Sequence, residues 1–159
     1  LNLLISRQFT EILLTGSVKQ ETQNPIHAFN YMQAASNLER IADHAHRIAQ
    51  IAREYNCTLA DDLKEELMDM EVQLCGFIDD AISYLLQTNS DKANEMIDLI
   101  REIQKSAARI TVTSDNLSKS EMLERLVLAA SLERMFDYIM NIGELTINLS
   151  HSTKQAEKG

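Results

Sequence analysis

The sequence is poor in the residues that break helices: one proline and four glycines in 159 residues, with no tryptophan. Leu, Ile, Ala, Met, Glu and Gln fill the space, and apart from β-branched Ile these side chains lose little freedom in a helix, so the composition specifies an all-α fold. Cysteine is scarce too. Cys57 and Cys75 form no CxxC pair and are too few for a disulfide framework, which fits a reducing cytoplasm. No apolar run approaches the roughly 18 residues needed to cross a bilayer, so a membrane link is expected only through a partner. Basic residues are outnumbered: the net charge is −9 and no Lys/Arg cluster lines one face, which argues against direct nucleic-acid binding and for cations or basic protein surfaces as partners. There is no glycine-rich phosphate loop, no Gly-x-Ser-x-Gly elbow and no cysteine with a histidine beside it, so the chain is read as a non-enzyme. No Glu is followed three residues later by His, which excludes a ferritin-like di-iron oxidase. The triplets at Asn56, Asn116 and Asn148 match a glycosylation pattern by chance.

With hydrophobic residues at 45%, a chain of 18.0 kDa can bury a core as one domain or two small bundles. It opens with Leu1-Asn2-Leu3-Leu4 in mid-helix pattern, without methionine or cap, as a piece of something longer would. A first helix is predicted from Leu1 to about Thr15, then a polar stretch from Gly16 to Asn24. Asn24 can cap a second helix and Pro25 can occupy its first turn, where a missing N–H costs nothing; the helix is expected to reach Tyr55. Thr58 and Asp61 resemble a cap for a third helix, periodic through Leu63, Leu67, Met70, Leu74, Phe77, Ile78 and Ile82 to Gln87. Asn89 or Ser90 caps a fourth, to about Thr111. After a turn at Thr113 to Asn116, Ser118 or Ser120 starts a fifth that is expected to end near Ser150, leaving a polar tail.

Shifting the second helix by 94 positions lays it on the fifth: Ala35 on Ala129, Leu38-Glu39-Arg40 on Leu132-Glu133-Arg134, Asp43 on Asp137, Ile48 on Ile142. This is an internal repeat. The second copy comprises three helices and the first only two, so a helix of about 35 residues is expected before Leu1, or in its place a helix from another subunit. The organisation read from this is an incomplete first repeat over 1–56, a complete second over 57–151 and a polar tail over 152–159.

At roughly 100° per residue, Leu38, Ile41, Ala45, Ile48 and Ala52 share an apolar stripe while Glu39, Asp43 and Arg47 climb the far side. The fifth helix repeats the pattern, with Leu132, Met135, Ile139 and Ile142 inward and Glu133, Asp137 and Asn141 outward. Each repeat therefore displays a carboxylate pair at i, i+4. Like charges so spaced repel and call for a cation, and oxygen donors suit Mg²⁺, Mn²⁺, Ca²⁺ or iron. The plainer alternative is a salt-bridged surface, with Arg47 four residues after Asp43 and Arg40 and Arg134 beside the glutamates. His27, His44, His46 and His151 read as surface or partner-contact residues. Met68, Met70, Phe77, Met135 and Phe136 read as core fillers.

The segments Asn37-Leu-Glu-Arg-Ile-Ala-Asp-His-Ala-His-Arg-Ile-Ala49 and Ser131-Leu-Glu-Arg-Met-Phe-Asp-Tyr-Ile-Met-Asn-Ile-Gly-Glu144 resemble the duplicated signature of the PhoU family. The resemblance implies a helical bundle of two pseudo-symmetric three-helix units, here with the first helix of repeat one missing. It also implies repression of phosphate uptake when phosphate is plentiful, through contacts with a phosphate transporter and a sensor kinase. The first copy is similar to archaeal members, some of which carry a DNA-binding domain ahead of the bundle. Metal clusters held by the family's motif acids would, by match, carry over to Glu39, Asp43, Glu133 and Asp137, with Asn141 at a further polar position and Arg47 departing from the pattern. The reading is therefore a cytoplasmic, non-enzymatic regulator, expected to be a homodimer, with proteins of a phosphate transport or signalling system as partners and divalent or iron-type metal ions at those acids. The alternatives are a cytoplasmic accessory domain of an ion or phosphate transporter, or a ligand-free dimerisation module.

Overall fold

The computed structural model describes residues 2–15, 25–54, 61–107 and 118–156. They form five helices: α1 (Asn2–Thr15), α2 (Pro25–Glu54), α3 (Asp61–Gln87), α4 (Ser90–Ala107) and α5 (Lys119–Ala156). Among the described residues there is no strand, and the fold is all-α, as the composition dictates. The proposed caps at Asn24 and Thr58 and the turn at 113–116 lie outside the described residues, as do 108–111 at the expected end of the fourth helix.

α5 is the hub. It packs along α2, α3 and α4, and its closest association is with α2, while α1 packs on α2. A helix touched on several sides must be apolar around much of its circumference. α5 accordingly contributes Met135, Phe136, Ile139, Ile142 and Leu149 to a core completed by Ala34 and Ile41 of α2, Leu74, Ala81 and Leu85 of α3, and Met96 and Ile100 of α4. Gly143 lets α4 come close, since a Cβ there would meet Met96 Cε at 3.0 Å and Ile97 Cδ1 at 3.1 Å. A smaller cluster of Met70 and Leu132 gathers Ile48, Leu67 and Leu128 around it. α1 is anchored on α2 by Phe9 against Phe29, ring centroids 5.9 Å apart.

Three expectations are corrected. α5 runs past Ser150 through Ala156, so the segment read as a polar tail is helical over 151–156. The hydroxyls of Ser152 and Thr153 donate to the carbonyls of Asn148 and Leu149 at 3.0 and 2.9 Å, tying these polar residues to the helix they continue. Met68 is not a core residue: it is 69% exposed while Met70 is 5% exposed, because residues two apart on a helix point in widely different directions. Ala45 and Ala52, placed on the buried stripe of α2, are exposed. Their counterparts Ile139 and Thr146 are fully buried, because α3 and α4 cover α5, whereas among the described residues α2 packs chiefly on α1 and α5.

The turn between α3 and α4 is closed by Asn89 N–H donating to the Tyr84 carbonyl (2.9 Å) and Thr88 N–H to the Leu85 carbonyl (3.2 Å), a left-handed helix C-cap. The cap position is Thr88, at φ 53°. Of the two caps the sequence offers, Asn89 and Ser90, it is Asn89 that starts α4, its side-chain oxygen accepting the Lys92 N–H at 3.2 Å. A β-branched residue in the left-handed region is strained by about 1–2 kcal/mol. Thr88→Gly is therefore expected to stabilise the chain by about 1 kcal/mol, read as a raised denaturation midpoint with unchanged m-value in urea. A fall in the midpoint would mean that the threonine side chain contributes more than its backbone costs.

Candidate functional site

The repeated acids ride on the two helices that pack most closely together. His44 of α2 and Tyr138 of α5 occupy the same position in the two copies, 94 residues apart, and their rings meet at 5.9 Å with 38° between planes. Equivalent residues in contact are what a local twofold between the copies would produce. His44 is thus no plain surface histidine. It is half-buried at the α2–α5 seam, and its Nδ1 is shielded from solvent without a hydrogen-bond partner among the described residues. His27 is also half-buried, edge-on to Tyr31 at 6.1 Å, while His46 and His151 are exposed.

The phase of α2 turns Glu39 and Asp43 to solvent, with Arg40 and Arg47 exposed beside them. Among the described residues Asp43 and Arg47 form no ion pair, although their spacing permits one. On α5, Glu133 and Asn141 are exposed and Asp137 is half-buried. Asp137 is held from two sides. The Gln104 amide of α4 donates to its Oδ1 at 2.9 Å and also reaches the Glu133 carbonyl at 3.4 Å, while Arg134 contacts its Oδ2 at 3.4 Å. Arg134 therefore serves Asp137 rather than its neighbour Glu133. Gln104 is a site residue that sequence reasoning missed. Its only signal was its place one turn after Ile100, where the buried face of α4 continues: a polar residue at such an edge needs a partner on the facing helix.

The two carboxylate pairs are thus presented outward on a packed pair of helices, as their phase requires. They do not converge with further ligands: among the described residues no three His, Cys, Asp or Glu side chains come together as a metal site. The donors as arranged form open pairs, and Asp137 already spends both oxygens on Gln104 and Arg134.

A thiol nucleophile finds no support in Cys75. The side chain is exposed and donates to Glu71 Oε1 at 3.6 Å. Local burial, and then the Glu71 and Asp79 charges, push its pKa up and disfavour the thiolate. No helix among the described residues is long and apolar enough to cross a membrane.

Comparison with known proteins bears on the same helices. The PhoU domain model matches residues 1–52, which contain α1, most of α2 and the first signature copy. A phosphate-specific transport system accessory protein PhoU homolog from Clostridium acetobutylicum is 28% identical over 127 residues, which cover 76% of this chain and 58% of that protein. The chain thus spans little more than half the length of this relative. No solved structure matches it. A doubled signature on two packed helices, a domain match over the first copy and a relative aligned across most of the chain all make this chain similar to proteins of the PhoU family.

Proposed function

We propose that the chain is a regulatory accessory component of a phosphate-transport system, acting through contacts with other proteins and making or breaking no bond of its own. The observation that carries this reading is the similarity to an accessory protein of such a system, aligned over 76% of the chain, and it is supported by outward carboxylate pairs on the two most closely packed helices. Such a surface can change its charge with occupancy and be read by a partner. The relevant variant is Glu133→Gln with Asp137→Asn, which removes both charges and keeps an oxygen for the Gln104 amide. Cells carrying it are expected to lose repression of phosphate uptake at high phosphate as fully as cells lacking the protein, with the helical circular-dichroism signal unchanged. Wild-type repression by the variant would sink the reading.

Metal uptake belongs to the same proposal. Glu39 and Asp43, and Glu133 and Asp137 with Asn141, would take a hard divalent or iron-type cation completed by water, displacing Arg134 on α5. Elemental analysis of the chelator-free protein, with the charge-neutral variant alongside, decides it. Stoichiometric metal lost in the variant supports an ion at the pair, and its absence from both leaves basic protein groups as the cations served. A homodimer is proposed as well, covering apolar positions such as Leu3, Leu4, Ile26 and Phe29 that stand 88%, 59%, 46% and 42% exposed; sedimentation velocity reads it directly.

A further inference from the structure

Gly76 sits in the middle of α3, a helix of 27 residues, where glycine is a poor helix former. What a glycine offers there is a bare backbone that another helix can approach closely. At Gly143 α4 makes that approach; at Gly76 no described residue does, because a Cβ there would meet nothing within 4 Å among the described residues.

The surroundings of Gly76 are equally out of place. Met68 and Val72, two turns and one turn before it, are 69% and 68% exposed, and Leu86 further along the same side is 64% exposed. At about 100° per residue these positions lie opposite the stripe of Met70, Leu74, Ala81 and Leu85 that faces the core. An apolar row on the solvent pole, with a gap at its centre where a backbone could approach, has the form of a groove for a second helix.

Charge decides which helix fits. α3 carries Asp61, Asp62, Glu65, Glu66, Asp69, Glu71, Asp79 and Asp80 against the single cation Lys64, a net −7 out of −9 for the whole chain. Glu65, Asp69, Glu71, Asp79 and Asp80 are exposed around the apolar row. A second copy meeting the first through this face would set like charges against each other, and an anionic membrane would be repelled.

We infer that the solvent face of α3, from Met68 through Val72 and Gly76 to Asp79, docks a basic amphipathic helix of a partner protein, whose small residues pass over Gly76 while flanking lysines or arginines meet the acids. The inference rests on the reading of the chain as an accessory protein that works through contacts, and names one contact surface. It uses none of the paired acids of α2 and α5.

The test is titration of the intact protein with a labelled synthetic helix of about 20 residues, carrying an Ala/Leu stripe flanked by lysines, a length sufficient for partial helicity alone. Wild type is expected to bind it, more weakly as salt rises from about 0.05 to about 0.5 M because the flanking charges are screened. Gly76→Leu is expected to weaken binding at least about tenfold by overfilling the contact, while the melting temperature stays the same or rises. Val72→Asp is a second variant with the same expected loss. No binding by wild type, equal binding by Gly76→Leu, or equal binding of a glutamate-flanked peptide would overturn the inference. So would recruitment to vesicles of anionic lipid that Gly76→Leu abolishes, or a dimer that Gly76→Leu dissociates. If the peptide binds as expected but the protein leaves phosphate uptake unchanged, the accessory role fails and the docking face stands.

Discussion

Replacing Phe136 by alanine is expected to cost about 3–5 kcal/mol, a large part of the roughly 5–15 kcal/mol that holds a domain of this kind together. Phe136 is fully buried in the core cluster that joins α2, α3, α4 and α5, and it is the largest of the fully buried side chains. Removing the ring forfeits its transfer free energy and leaves a cavity where several helices meet, which can collapse only if those helices move together. Urea titration followed by circular dichroism should show the midpoint falling steeply at constant m-value. The counterpart position in the first repeat is Ala42, exposed on α2, and Ala42→Ser should move the midpoint by less than about 0.5 kcal/mol. A Phe136 variant as stable as wild type would place the core somewhere else.

The second large effect is at Gly143. Its missing Cβ admits Met96 and Ile97 of α4 at 3.0 to 3.1 Å, which already crowds a single methyl group. Gly143→Ala sets that crowding against a gain of up to about 1 kcal/mol in helix propensity, and because the crowding atoms belong to side chains, Met96 among the most flexible, the two should nearly cancel. Gly143→Val removes the compensation. Two further methyls must enter a packed seam on a stiff β-branched side chain, and α4 must move away or Met96 and Ile97 must leave their preferred rotamers, at about 2–3 kcal/mol. Combining Gly143→Val with Met96→Ala should cost clearly less than the two changes summed, because the second makes room for the first. Strict additivity would show that α4 does not approach α5 at this point.

Both effects fall in the second repeat. The signature motif occurs twice, yet Ile139, Gly143 and Thr146 are buried where Ala45, Ala49 and Ala52 are exposed. The motif fixes the phase of each helix, while the covering helices decide which part of it is buried. All four stripe positions of α5 are accordingly buried while the alanines of the α2 stripe are exposed: periodicity reports direction and carries no information on whether another helix lies there. Met68 is exposed despite its apolar side chain because its angle on α3, not its residue type, decides which way it points.

The outward acids were legible for the opposite reason. Phase alone turns Glu39, Asp43 and Glu133 away from the core, and no tertiary contact is needed to know it. Asp137 was legible as to face and not as to environment, since the Gln104 amide comes from another helix 33 residues earlier.

By itself the sequence determined the helical class, the end of α3 at Gln87, a cap for α4 at Asn89 or Ser90, the repeat and the outward phase of its acids, because each depends on local propensity, capping chemistry or rotation about one helix axis. Only the tertiary structure decided that α5 is the hub, that His44 meets Tyr138, that Gln104 clamps Asp137 and that Gly76 and its apolar neighbours face open solvent, because each depends on which helix lies beside which, and that is settled by the packing of the whole core.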